Sequence, residues 1–160
     1  PAGGGGGGDD DDEALREVED TKARGNAAFG RGEYSAAVDA WQEACHMLLA
    51  PERATAPRAN ATAVSLHNNL AAAMLKLGRP SEAVTQCDLS LALERRNVKA
   101  LFRRAEAHRA AGRYRRALAD LSRARTIEPG NKEVVYAHED VEDLLAEEGD
   151  EEGEEEAAAA

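Results

Sequence analysis

The apolar positions of this 160-residue chain recur at three- and four-residue spacing, the period of helices with one buried face. From about Glu13 to Arg31 they are Leu15, Val18, Ala27, Ala28 and Phe29. After a break at Gly32 they resume as Val38, Trp41, Ala44, Cys45 and Leu48. The pattern then predicts helices over about Ala63–Leu77, Ser81–Leu93, Asn97–Ala111 and Arg115–Ile127. A last helix opens at Asn131 and carries Val134, Val135, Ala137, Val141, Leu144 and Leu145. Ser35, Asn97 and Asn131 stand where a side-chain oxygen can cap a helix N-terminus. The expectation is seven helices and no strand.

These helices come in pairs, and the pairs repeat. Gly78 and Gly112 lie 34 residues apart. On that register small residues recur where two helices must approach closely: Ala71 and Ala105, Ala83 and Ala117, Ser90 and Ala124. Counting from Gly32, the same offsets select Gly25, Ala37 and Ala44. An aromatic follows the first and third turns as Tyr34 and Tyr114, whereas the middle turn has Pro80. Pro129 closes the third pair, where the second has Arg95. Gly32 and Gly78 are 46 residues apart, so the first pair carries a 12-residue addition. With Pro51 and Pro57 in it, the stretch 49–61 is expected to be an interrupted helix end and a loop.

Charge changes this picture at the two ends. The formal net charge is −11. Residues 1–20 hold eight acids and one base, residues 139–160 twelve acids and no base, and the middle eleven acids against nineteen bases. A basic body of net +8 therefore lies between acidic tails, 1–12 and 149–160, expected to be disordered because their Gly, Asp and Glu cannot bury a core. Aromatics make up 4%, so the core must be built from Ala, Leu and Val. Cys45 and Cys87 fall on second helices and are expected to be buried, reduced thiols. No apolar run approaches the roughly 20 residues of a membrane span, and no signal-peptide pattern opens the chain; cytoplasm or nucleus is the expected location.

Over about residues 14–147 the repeats resemble the tetratricopeptide-repeat (TPR) domains of chaperone cofactors. NNLAAAMLKLG and NVKALFRRAEAHRAAG are most similar to those attached to immunophilins, the peptidyl-prolyl isomerases. The resemblance implies an all-α, right-handed superhelix of three helix-turn-helix repeats with a seventh, capping helix, spanning 13–148. It further implies a monomeric interaction module for the Glu-Glu-Val-Asp tail of heat shock protein 90 or 70. In the family that tail is held by a carboxylate clamp, whose matching positions here are Lys22, Asn26, Asn69, Lys99 and Arg103. An isomerase domain in a longer parent is implied by analogy only.

The chemistry of the five residues fits that role. Lys22 and Asn26, and Lys99 and Arg103, are i,i+4 pairs, so each pair shares one helix face. All five are on first helices of repeats, which in such stacks line the concave surface. A peptide ending in Asp presents two neighbouring carboxylates. Lysine supplies charge, arginine a planar donor fork, and asparagine donors without charge. Charge-assisted bonds of about 1.5–3 kcal/mol each, less the ordering of a free tail, predict a micromolar complex.

Two other binding readings remain: a scaffold for a different acidic or helical partner, and nucleic-acid binding by Arg103, Arg104, Arg109, Arg113, Arg115, Arg116, Arg123 and Arg125. The few aromatics and the acidic tails argue against the second. His46, His67, His108 and His138 are scattered without metal-ligand spacing, and no P-loop, dinucleotide fingerprint or nucleophile elbow appears. Neither catalysis nor a cofactor is expected. Trp41, spaced with Val38 and Cys45, is expected in the core rather than as a ligand platform.

Overall fold

The computed structural model describes residues 7–159, among which there are eight helices and no strand. They are α1 (Gly7–Gly30), α2 (Tyr34–Met47), α3 (Pro51–Ala54), α4 (Ala59–Lys76), α5 (Pro80–Leu93), α6 (Val98–Ala110), α7 (Tyr114–Ile127) and α8 (Lys132–Ala159). Three antiparallel pairs, α1–α2, α4–α5 and α6–α7, stack in chain order, and α8 covers α7. Helix α4 touches both α1 and α6, so the first helices of the three repeats adjoin one another.

The 34-residue register has a backbone cause. Gly32, Gly78 and Gly112 have φ of 77°, 69° and 69°, a left-handed conformation that costs a residue with a Cβ about 1–2 kcal/mol. Each ends its helix the same way. The next residue's N–H reaches back five residues, Glu33 to Ala28 O at 3.0 Å, Arg79 to Met74 O at 2.8 Å and Arg113 to His108 O at 2.8 Å. That satisfies a carbonyl the helix end would otherwise leave bare. Pro80 fits the middle turn because it is at the first position of α5, where no N–H is needed.

The matched small positions are where helices touch. Ala37, Ala44, Ala71, Ala83, Ser90, Ala105, Ala117 and Ala124 are all buried. At Gly25 a Cβ would fall inside the Trp41 ring, so this position admits only glycine without a shift of the indole. One cluster joins Leu15, Val18 and Trp41 to Leu66, Leu70 and Met74; a second joins Leu91 and Leu101 to Leu121, Val134 and Val141. Cys87 is buried and Cys45 half-buried. Burial pushes their thiols up, to about 12 and about 11, so neither is a nucleophile at neutral pH.

Two expectations change. The stretch 49–61, expected to be an interrupted helix end and a loop, also holds a helix of its own: Pro51 opens the one-turn α3, and α4 begins at Ala59, which makes eight helices among the described residues rather than seven. Ser35 is not a cap. Helix α2 begins at Tyr34, and the Schellman bond at Glu33 fixes that start two residues early, with no side-chain cap. Asn97 and Asn131 do cap, accepting from Ala100 N at 2.8 Å and Val134 N at 3.3 Å. Helix also runs into both segments read as tails. Beyond 148, Glu and Ala are strong helix formers and no proline intervenes. Residues 1–6 and 160 of those tails lie outside the described residues.

Candidate functional site

The adjoining first helices form a groove of about 360 Å³ lined by Lys22, Asn26 and Phe29 of α1, Ser65, Asn69 and Ala72 of α4, and Arg103 of α6, with Trp41 of α2 beneath. Four of the five residues picked from the sequence thus share one site. Lys99 is not among its walls. It lines the neighbouring hollow between α4, α6 and α8, one helical turn from Arg103, and Ser65 borders both spaces.

Trp41 organises the α1 side. Its ring is 2% exposed, as expected for core. Its indole N–H donates to Lys22 O and to Asn26 Oδ1, both at 3.1 Å. Asn69 Nδ2 donates to the same Asn26 oxygen at 3.2 Å. With Oδ1 occupied from two directions, the Asn26 amide turns its NH₂ group outward as a donor. Gly25 makes this possible, because the indole occupies the space of a side chain there.

Lys22 is not free. Its ammonium is 3.0 Å from Glu19 Oε2, and the other Glu19 oxygen accepts from Thr62 Oγ1 at 2.9 Å. Burial raises the Glu19 pKa, but the hydrogen bonds from Lys22 and Thr62 and the charges of Lys22 and Arg58 outweigh it and hold the carboxyl below its ordinary value. The i,i+3 spacing of Glu19 and Lys22 was the available sequence signal for this pair, and sequence reasoning passed it over. It also passed over Ser65 and Ala72, small residues that look like packing positions until the groove is seen.

The α6 side is the opposite. Arg103 is half-buried, its Nη1 has no hydrogen-bond partner, and burial pulls its pKa down. Lys99 is exposed and has no ion-pair partner among the described residues. Three of the other arginines singled out from the third repeat are paired instead. Arg104 bonds Asp120 through two nitrogens at 2.6 and 2.8 Å and Asp88 at 2.8 Å; Arg109 pairs with Asp140 at 2.7 Å; Arg123 donates to Arg95 O at 2.7 Å. Arg113, Arg115 and Arg116 lie at the α6–α7 turn, beside Leu145 and Glu148 of α8. The basic stretch is thus divided among structural pairs, a turn and the groove, rather than forming one cationic face.

His108 is buried, with its pKa lowered first by burial and further by Arg113, Arg104 and Arg116 against the pull of Asp120. Among the described residues no three His, Cys, Asp or Glu side chains are grouped to hold a metal, and no helix is long and apolar enough to cross a membrane.

Comparison with known proteins agrees with the architecture. A tetratricopeptide-repeat family model matches residues 98–131. The human "FK506-binding protein-like" is 36% identical over 126 residues, covering 75% of this chain and 33% of that protein. The chain spans about a third or less of the curated relatives it matches. Among solved structures, the first TPR of Spaghetti (RPAP3) bound to HSP90 peptide SRMEEVD superposes with a TM-score of 0.69 at 26% identity, over 82% of this chain and 94% of that one. The second TPR domain of human RPAP3, in complex with HSP70 peptide SGPTIEEVD, has the same TM-score and identity over 81% and 98%. With three Schellman-ended helix pairs on one register and solved neighbours of the same build, the chain is folded as a tetratricopeptide-repeat solenoid.

Proposed function

We propose that this domain binds the acidic C-terminal tail of heat shock protein 90 or 70, ending Glu-Glu-Val-Asp, through Lys22, Asn26, Asn69, Lys99 and Arg103. The observation that carries the reading is Arg103. A guanidinium nitrogen that is buried without an acceptor costs free energy in the unliganded domain, and a ligand carboxylate in the groove would supply the missing partner. Around it stand the outward NH₂ of Asn26, Asn69 and the Lys22 ammonium, donors of the kinds that two adjacent carboxylates need. The TPR domains of similar fold that were solved with HSP90 and HSP70 peptides support the same ligand class.

Lys99 contributes as an unpaired charge at the groove's exit, where the tail would pass towards α8. Together these residues give the domain a co-chaperone role: it tethers whatever it is part of to a chaperone tail. Titrating labelled SRMEEVD into this chain tests the reading. The expected result is saturable, micromolar, salt-sensitive binding that Arg103→Ala weakens severely. No binding at about a hundred micromolar in low salt would reject it.

A further inference from the structure

The three glycine turns share a backbone conformation but not a charge balance. At the first, Arg31 meets Glu33 through two nitrogens, at 3.0 and 2.8 Å. At the second, Arg79 meets Glu82 in the same way, with Nε at 2.6 Å. On the 34-residue register Arg113 stands in the place of Arg79, but the place of Glu82 is taken by Arg116. Arg113, Arg115 and Arg116 therefore crowd one turn, and none of them is in an ion pair among the described residues. Arg113 Nε is buried without an acceptor, which leaves the cost of its burial unmet. The three wall a hollow of about 450 Å³ with Tyr114, and with Leu145 and Glu148 of α8. Helix α7 starts there with no side-chain cap and no acid in its first turn, so its open N–H groups add to the positive potential.

We propose that this turn is a second binding site, at the opposite end of α6 from Lys99, and that it takes a single phosphomonoester of the kind a phosphorylated side chain carries. The ligand is an anion, because the hollow sets three guanidiniums against one carboxylate, Glu148. A phosphate suits it better than a carboxylate, since it brings up to two charges and three acceptor oxygens to the planar donor forks. Tyr114 and Leu145 offer apolar surface to the carbon that bears the phosphate. A long polyanion fits less well. Residues 147–156, which carry α8 on from the hollow, include eight acids, and a nucleic acid or anionic membrane would have to lie against them. A lone phosphate needs only the hollow.

Amide NMR shifts of the full chain, followed while adding N-acetyl-O-phosphoserine amide, inorganic phosphate or a single-stranded DNA, test this directly. The phosphoserine derivative should give saturable shifts centred on Gly112–Arg116, with a dissociation constant of about a millimolar or tighter. Its affinity should fall as pH drops through about 6, where the dianion takes up a proton. Arg116→Glu, at an exposed position, recreates the pairing of the middle turn and gives Arg113 its acceptor. It should weaken phosphoserine binding about tenfold or more and leave SRMEEVD binding within about twofold, since it lies outside the groove. No shifts at about 20 mM ligand with ionic strength held constant, or shifts that Arg116→Glu leaves unchanged, overturn the site. Inorganic phosphate binding as tightly as the phosphoserine derivative overturns the phosphorylated side chain as its source. DNA binding more tightly than either, at about 0.15 M salt, overturns the single phosphate in favour of a polyanion face.

Discussion

The two sides of the groove are built on opposite plans. On α1 the site's side chains are anchored: the Lys22 ammonium by Glu19, the Asn26 oxygen by Trp41 and Asn69. On α6 the cations are open: Lys99 has no partner, and one Arg103 nitrogen is buried without an acceptor. The α1 side contributes geometry and gains little new bonding from a ligand. The α6 side contributes undischarged charge and is where a carboxylate gains most. A pair of i,i+4 cationic or amide residues looks the same in both places in the sequence; the difference comes entirely from what the neighbouring helices put beside them.

The largest effect should come from the open side. Arg103→Ala removes a charge-assisted contact of about 1.5–3 kcal/mol, so affinity for SRMEEVD should fall about 10- to 100-fold. Because Arg103 Nη1 is unsatisfied before binding, the thermal midpoint should hold or rise. The adjacent Arg104→Ala should do the reverse. It strands Asp120, which is 7% exposed, and should cost about 2–4 kcal/mol of stability. Calorimetric melting and peptide titration on both variants separate the roles; a melt lowered more by Arg103→Ala than by Arg104→Ala would reverse the assignment. Lys99→Glu, an exposed charge reversal, should weaken binding about tenfold with no change in helicity by circular dichroism.

Damage to the held side should appear first in stability. Gly25→Ala drives a methyl into the Trp41 ring. Overpacking of that kind costs about 1–3 kcal/mol, against a gain of up to about 1 kcal/mol for alanine over glycine in a helix. As the indole shifts, its bonds to Lys22 O and Asn26 Oδ1 loosen, and affinity should drop about threefold to tenfold. Urea unfolding and the same titration report both quantities, and a variant as stable as the parent would show that Trp41 is not fixed as described.

Much of this was legible in the sequence because it follows from local rules. Gly32, Gly78 and Gly112 announce the turns since only glycine enters their left-handed φ cheaply, and the small-residue offsets announce helix contacts because backbones there must approach. The candidate residues were legible one by one from the resemblance, and the structure brings Lys22, Asn26, Asn69 and Arg103 to one groove. What the sequence hid depends on pairing across the fold. Trp41 and Asn69 converge on Asn26 from 15 and 43 residues away, and Thr62 reaches Glu19 from 43. Arg103 and Arg104 are neighbours in sequence, yet only the second meets Asp120, a distinction of about 100° around a helix. The short α3 escaped because one turn opened by Pro51 has no period to detect.

The smallest effect tests whether the held side is also restrained. Glu19 is bonded to Lys22 at 3.0 Å, so a ligand carboxylate must share that ammonium with it. Glu19→Gln keeps an oxygen for Thr62 and removes the competing charge. Exposed pairs of this kind are worth about 0.2–1 kcal/mol, so affinity should rise about two- to threefold at low salt. The gain should shrink as salt goes from about 0.05 to 0.5 M, because screening weakens the competitor and the ligand together. Acid supplies an independent check. Lys22, Thr62 and Arg58 together hold the Glu19 carboxyl below its ordinary pKa, against burial. Its contribution to stability is therefore complete above that ordinary value and is lost as pH falls through the folded-state value. The glutamine variant should accordingly show a flatter decline in urea midpoint across the acidic range than the parent. Equal slopes and equal affinities would mean that Lys22 meets a ligand as freely as Lys99 does, and the contrast between the two sides would reduce to Arg103 alone.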